Sequence, residues 1–246
     1  MVHEEWRWIS SGRQTAEENM KEDSALLADC DQSRISPTVR LYGWSKPAIT
    51  IGYSQKAEAE LDIVRCRELG VPIVRRPTGG RALLHANELT YAVVAPVSIP
   101  PFNRGLKATF QAVSEALLVG LQGLGIQGEI NTSKQRSGAT RSPACFASLN
   151  HCEITVDGKK LVGSAQKRTS RAFLQHGSLI IESDHKLFTS LLKFDNENER
   201  VALQEHLMQS TTTLSQTCGR KISFEEISAA LEQGFRKTLG TVCLNY

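Results

Sequence analysis

The stretch EITVDGKKLVGSA, residues 153–165, decides the architecture of this chain. Asp157-Gly158 stands between two runs of strand formers, and such a pair supplies the two positive-φ positions of a type I′ turn. A hairpin is expected, with Val156 facing Lys159 and Thr155 facing Lys160. AFLQHGSLIIE, residues 172–182, follows as another strand. Upstream, PTVRLYGW (37–44) and AITIGY (48–53) alternate or run apolar, punctuated by Gly43 and Pro47, and both read as strands. VPIVRR (71–76) is a short strand, and ALLHANELTYAVVAP (82–96) reads as a strand pair or one bent strand ended by Pro96.

Helices interrupt these strands without a regular βαβα alternation. TAEENMKEDSALLADC (15–30) opens with Thr15 and Glu18 at capping-box spacing. AEAELDIVRCREL (57–69) reads as one helix stopped by Gly70. In LKATFQAVSEALLVGLQGLG (106–125), Phe110, Val113, Leu117, Leu121 and Leu124 form one apolar stripe. From Asp184 onward the chain is expected to be mostly helical, with KFDNENER (193–200) as an exposed turn. There a second capping box is expected at Ser223 and Glu226, with Ile222 and Ile227 as a hydrophobic staple. This order predicts an α+β fold with a largely antiparallel or mixed sheet. No repeat, low-complexity tract or linker divides the 246 residues, so one domain spanning 1–246 is expected, with a helical C-terminal segment from about 184.

Composition narrows the function class. Apolar residues make up 40% and charged residues 22%, as in a globular protein that buries a full core. The net charge of +3 is too small for a typical nucleic-acid binder and suits an acidic protein partner better. The six cysteines, Cys30, Cys66, Cys145, Cys152, Cys218 and Cys243, include no CxxC and no zinc spacing, so they read as free thiols. MVHEEWRWIS lacks an apolar signal core, and no apolar run is long enough to cross a bilayer. A cytosolic protein without membrane partners is expected.

Two stretches concentrate chemistry. In VRRPTGGRALLHANELTY (74–91), adjacent glycines let the backbone approach a ligand, and the arginines suit a phosphate or carboxylate. A tight turn with solvated arginines explains the same letters. Neither a Walker loop nor a dinucleotide fingerprint is present. In ACFASLNHCEITVDGKKLVGSAQKR (144–168), Cys145 follows a polar basic loop and Pro143. It reads as a buried apolar thiol or as a nucleophile. Lys160 reads as a solvated hairpin lysine, or as an ammonium that favours a thiolate if residues 145–151 fold back. Cys152 reads as sheet filler, and His151 as exposed. His176, beside Gly177, either approaches a ligand or is a hydrogen-bonded structural histidine. No GxSxG is present to support a serine triad.

Taken together, RRPTGGRALLH…ELTY, PACFAS, GKKLVGSAQKR and LQHGS occur in the order and at about the spacing of the lipoate/biotin protein ligase superfamily. Within it the chain most resembles the cysteine-dependent octanoyl-[acyl carrier protein]:protein N-octanoyltransferases of lipoate synthesis. The similarity runs from about residue 6, through NMKEDSALL and PTVRLYGWSKPAITIGYSQ, to the final helix. The resemblance implies a large mixed sheet packed with a smaller sheet and flanking helices, and a tunnel for an eight-carbon acyl chain. It implies Cys145 as the acyl-carrying thiol and Lys160 as the group that lowers its pKa. It places Arg76, Gly79, Gly80, Arg81 and His85 along an acyl or pantetheine pocket, with Gly163, Ser164 and Ala165 opposite. Its implied partners are octanoyl-acyl carrier protein and a lipoyl-acceptor protein, either the glycine-cleavage H protein or a dehydrogenase lipoyl domain. Neither a cofactor nor a metal is called for. Lys134, Arg136 and Arg141 are candidate docking charges for the acidic carrier.

Two departures stand out. Ala86-Asn87 follows His85 where the family often has an acidic residue, and Arg81 stands where the ATP-using ligases carry a third small glycine. The competing functions are an ATP-dependent lipoate–protein ligase, an octanoyl amidotransferase acting between lipoyl domains, and a non-catalytic carrier-protein binding module.

Overall fold

A computed structural model describes residues 5–131, 153–240 and 242–245 of the chain. The strands are β1 (Glu5–Gln14), β2 (Thr38–Trp44), β3 (Ala48–Ile51), β4 (Ile73–Arg75), β5 (Leu83–His85), β6 (Glu88–Pro96), β7 (Glu129–Ile130), β8 (Ile154–Val156), β9 (Lys159–Arg168), β10 (Ala172–Ile180) and β11 (Val242–Asn245). The helices are α1 (Ala16–Asp31), α2 (Ala57–Glu60), α3 (Ile63–Glu68), α4 (Leu106–Gly123), α5 (His185–Ser190), α6 (Glu197–Ser210), α7 (Leu214–Cys218) and α8 (Phe224–Leu239).

An eight-stranded sheet runs in the order β11-β1-β2-β6-β10-β9-β8-β7, and a three-stranded sheet in the order β4-β3-β5. β1 lies parallel to β2 and β11, and β3 parallel to β4; the other pairings are antiparallel. The α+β expectation of a large mixed sheet plus a smaller one is met.

The hairpin forms as its turn chemistry requires. Asp157 and Gly158 adopt φ of 49° and 72°, and Val156 and Thr155 face Lys159 and Lys160. The Thr15–Glu18 capping box closes both ways at the start of α1. At α8 only half of the expected box forms. Ser223 accepts from the Glu226 N–H, but the Glu226 carboxylate pairs with Arg220 instead. Ile222 and Ile227 are both buried, as a staple requires. Residues 57–69 make two helices, because Asp62 accepts the Arg65 N–H and starts a new helix at Ile63. The expected exposed turn at 193–200 holds only to Asn196, which caps α6. β1, β7 and β11 went unrecognised as strands.

Period-two alternation along β6 explains the core. Leu89, Tyr91, Val93 and Ala95 pack with α4 and α8 on one face of the large sheet. Ala92 and Val94 pack on the other face with Met20, Leu26, Leu27 and Cys30 of α1. The small sheet buries its own cluster, Ile49, Ile51, Leu61, Cys66, Phe188 and Leu191, with α3 and α5. Beyond α1, the small sheet stands over the same face of the large sheet. Among the described residues, no helix is long and apolar enough to cross a membrane.

Candidate active site

A cleft opens between the two sheets. Its floor is the large sheet, through Tyr42, Trp44, Thr90, Gly163–Ala165 and His176–Ser178. Its roof is the small sheet, through Thr50, Arg76, Leu83 and His85, and Met20 of α1 completes the lining.

The floor is shaped by register. His176 pairs with Ala92 and Ala165, and Ser178 with Thr90 and Gly163. Alternation therefore puts His176 and Ser178 on the cleft side beside two residues too small to fill the space above them. Gly177 points to the opposite side, where a Cβ would stand 2.4 Å from the Gly163 carbonyl and 2.7 Å from the Tyr91 ring. Only glycine lets these strands lie flat under the cleft.

Two histidines bridge floor and roof with the same chemistry. His85 Nδ1 donates to Glu88 Oε1 at 2.8 Å, and Thr50 Oγ1 lies 2.8 Å from His85 Nε2. Glu88 also accepts from Trp44 Nε1, Thr90 and Ser178, at 3.1, 2.6 and 2.8 Å. Burial alone would raise the Glu88 carboxyl, but the His85 charge and the hydrogen bonds from His85, Thr90 and Ser178 outweigh it and hold the group below its ordinary range. The Trp44 ring stacks on His85 with centroids 3.9 Å apart. The acid that the sequence lacks directly after His85 is thus supplied by Glu88, from the next strand.

On the other side, His176 Nδ1 donates to Asp23 Oδ2 at 2.8 Å, and Thr78 Oγ1 lies 2.7 Å from Nε2. Asp23 also accepts from Tyr42 at 2.9 Å and from Arg40 at 2.8 Å. Arg40 is fully buried, and its guanidinium also donates to Ser11, Gln14 and Asn19 and pairs with Glu22. Burial, reinforced by the Asp23 charge, pushes the Tyr42 phenol well up, so it remains a donor at neutral pH. Burial likewise pushes Tyr91 up to about 12, against the hydrogen bonds from Gln175 and Ser164.

The glycine turn is a strut of the roof. Arg76 donates to the Gly79, Arg81 and Thr50 carbonyls, and the Tyr53 N–H donates to the Thr78 carbonyl. A Cβ on Gly52 would meet the Gly80 carbonyl at 2.2 Å, so the two backbone segments touch. Gly79, Gly80 and Arg81 do not line the cleft, and Arg81 is half-exposed and paired with Glu60. Arg76, His85, Gly163, Ser164, Ala165 and His176 do line it.

Lys160 is fully buried, which overturns the reading of a solvated hairpin lysine. Its Nζ lies 2.8 Å from Glu153 Oε1, and its carbonyl accepts from the Thr212 N–H. The register explains its direction. Ile154 pairs with Val162 and Thr155 with Lys160, which leaves Leu161 as an extra residue in β9. Leu161 and Val162 both join the core under α4, and the bulge turns Lys160 to the face that carries Gly163 and Ala165. Cys145, Cys152, His151 and the basic residues Lys134, Arg136 and Arg141 lie outside the described residues.

The family described as the lipoyl protein ligase A/B catalytic domain matches residues 15–236. The chain belongs to that family. Octanoyltransferase LipM of Geobacillus kaustophilus is 36% identical over all of this chain and 90% of its own length. The protein of the same name from Kyrpidia tusciae is 37% identical over 96% of this chain and 87% of its own. Among solved structures, a bi-partite lipoate protein ligase from Thermoplasma acidophilum superposes with a TM-score of 0.77 at 21% identity, covering 99% of this chain and 87% of that one. That likeness shows the fold.

Sequence reasoning missed Asp23, Glu88, Thr50, Thr78, Trp44 and Glu153. One signal was available for Asp23. Asn19 and Asp23 fall on the same buried stripe of α1 as Ala16, Met20, Leu26, Leu27 and Cys30. Polar residues at apolar-stripe positions call for a buried partner.

Proposed function

We propose that this family member transfers an octanoyl group from octanoyl-acyl carrier protein to a lysine of a lipoyl-acceptor protein, through a thioester on Cys145. The observation that carries the reading is how the cleft treats its polar groups. Tyr42 bonds Asp23, Trp44 bonds Glu88 and Thr90, and Thr50 bonds His85. Both nitrogens of His176 are engaged, Ser178 bonds Glu88, and Ser164 bonds Tyr91. These groups satisfy one another, so they offer the cleft ring faces and C–H groups, which suit a saturated acyl chain. The octanoyltransferases named among the relatives, each covered over most of its length, support the same substrate.

The chemistry balances without a cofactor. The Cys145 thiolate attacks the thioester carbonyl, and the carrier's pantetheine thiolate leaves. The acceptor lysine amine then attacks the enzyme thioester, loses a proton to a base, and expels the Cys145 thiolate as the amide forms. The first exchange is nearly neutral in free energy and the second runs downhill. Lys160, on the cleft face of β9 with its Nζ 2.8 Å from Glu153 Oε1, is the cation this reading assigns to favouring the thiolate.

Intact mass spectrometry tests the reading. Mixing the chain with octanoyl-acyl carrier protein, without nucleotide, should add one octanoyl group at Cys145 that hydroxylamine removes, and Cys145→Ala should add none. A chain that modifies its acceptor only with free acid and ATP, and equally well as Cys145→Ser, would be the ligase instead.

A further inference from the structure

We propose that His176 is a positioning residue for acyl transfer, acting through a relay Arg40–Asp23–His176–Thr78 that pins the roof turn over the floor strand. The inference rests on the acyl-transfer reading and adds to it residues that touch neither thiol nor amine.

The relay has one internal logic. Arg40 is fully buried and directs its Nη1 at Asp23 Oδ1. Both Asp23 oxygens accept, Oδ1 from that guanidinium and Oδ2 from the Tyr42 hydroxyl. His176 Nδ1, 2.8 Å away, must therefore carry a proton. In the neutral ring this leaves Nε2 as an acceptor, and it takes the Thr78 hydroxyl proton at 2.7 Å. Thr78 is joined to His176 across 98 residues of sequence, and its carbonyl is held by the Tyr53 N–H. The residues after it, Gly79 and Arg81, are gripped at their carbonyls by Arg76. The turn is thus fastened to the small sheet through its backbone and to the large sheet through the Thr78 hydroxyl.

The consequence is geometric. His176 and Arg76 both line the cleft, so the Thr78 contact holds floor and roof at one spacing. A shift of about 1 Å in a bound reactant can cost about 100-fold in rate. The relay therefore acts on the reaction by holding the acyl chain, while the chemistry stays at the thiol.

The test uses the full chain with octanoyl-acyl carrier protein and reads the single-turnover acylation rate and the thermal midpoint. Thr78→Val keeps the shape and removes the hydroxyl. It should lower the rate by about 30- to 100-fold while the chain stays folded. Thr78→Ser should restore the rate to within a few-fold, which a loss of stability alone would not reproduce. Nitrogen-15 histidine spectra supply a readout independent of activity. They should show His176 protonated at Nδ1 in the parent, and Asp23→Asn should move the proton to Nε2. A folded Thr78→Val that acylates at the parent rate, or a parent His176 protonated only at Nε2, overturns the relay. If the parent chain itself takes no octanoyl group, the acyl-transfer reading fails and the positioning role falls with it. A parent that is acylated beside an unaffected Thr78→Val sinks only the relay.

Discussion

The two histidines of the cleft make the same contacts from opposite sides, yet they are built differently. His85 finds its carboxylate three residues away, in Glu88. His176 finds its own 153 residues away, in Asp23. Glu88 is balanced by its histidine and by neutral donors from Trp44, Thr90 and Ser178. Asp23 is balanced by a fully buried guanidinium. One site is a local histidine–carboxylate cluster backed by neutral donors, and the other is a long-range ion pair. The difference teaches that two identical hydrogen-bond patterns can have unequal sensitivity to mutation. A neutral donor removed from a cluster leaves the others in place, whereas removing one partner of a buried ion pair leaves a charge without compensation.

The sharpest way to break this comparison is to remove the cation. Arg40→Met should destabilise the chain by about 3–5 kcal/mol, read from urea unfolding, because Asp23 loses its buried counter-charge. A loss below about 1 kcal/mol would show that Tyr42 and His176 suffice, and the contrast would vanish.

Acid should separate the two sites next. The Glu88 carboxyl is held below the ordinary glutamate value of 4.5 in the folded chain. Its contribution is therefore complete above the unfolded-state value and is lost as pH falls through the lower folded-state value. Glu88→Gln should remove that contribution, at a cost of about 1.5–3 kcal/mol near neutral pH. Its unfolding midpoint should then depend less on pH than the parent's between about pH 6 and pH 3. Parallel curves for the two proteins would contradict the charge assigned to Glu88.

The smallest effect should come from trimming a single neutral donor. Ser178→Ala removes one hydroxyl, and with it the hydrogen bond that Ser178 donates to Glu88. A loss of about 1 kcal/mol is expected in the same urea measurement. A cost equal to that of Arg40→Met would mean that the local cluster is as brittle as the ion pair.

Much of the scaffold was legible in the residues. The Asp157-Gly158 turn fixed a hairpin and its register, and Thr15 with Glu18 marked the start of α1. The apolar spacing of α4 named Val113, Leu117 and Leu121 as core. These are signals carried by neighbours in the chain. β1 escaped notice because Trp6 and Trp8 are buried while the strand's second half is mostly exposed. Its identity comes from pairing with β2. Helix 57–69 broke in two because Asp62 serves as a cap, a choice that competes with continuing the helix.

The site divides along the same line. The order of its motifs singled out Arg76, His85, Gly163, Ser164, Ala165 and His176, and all six border the cleft. The same reasoning put Gly79, Gly80 and Arg81 at the pocket, while the fold uses their backbone to brace the roof. Sequence alone determined most of the elements, the family and the residue types that could carry acyl chemistry, because turn, cap and periodicity signals act over a few residues. Only tertiary structure decided which acid serves which histidine and that Lys160 is buried beside Glu153. Those outcomes depend on sheet register, on one bulge, and on a desolvated charge finding its partner across the fold.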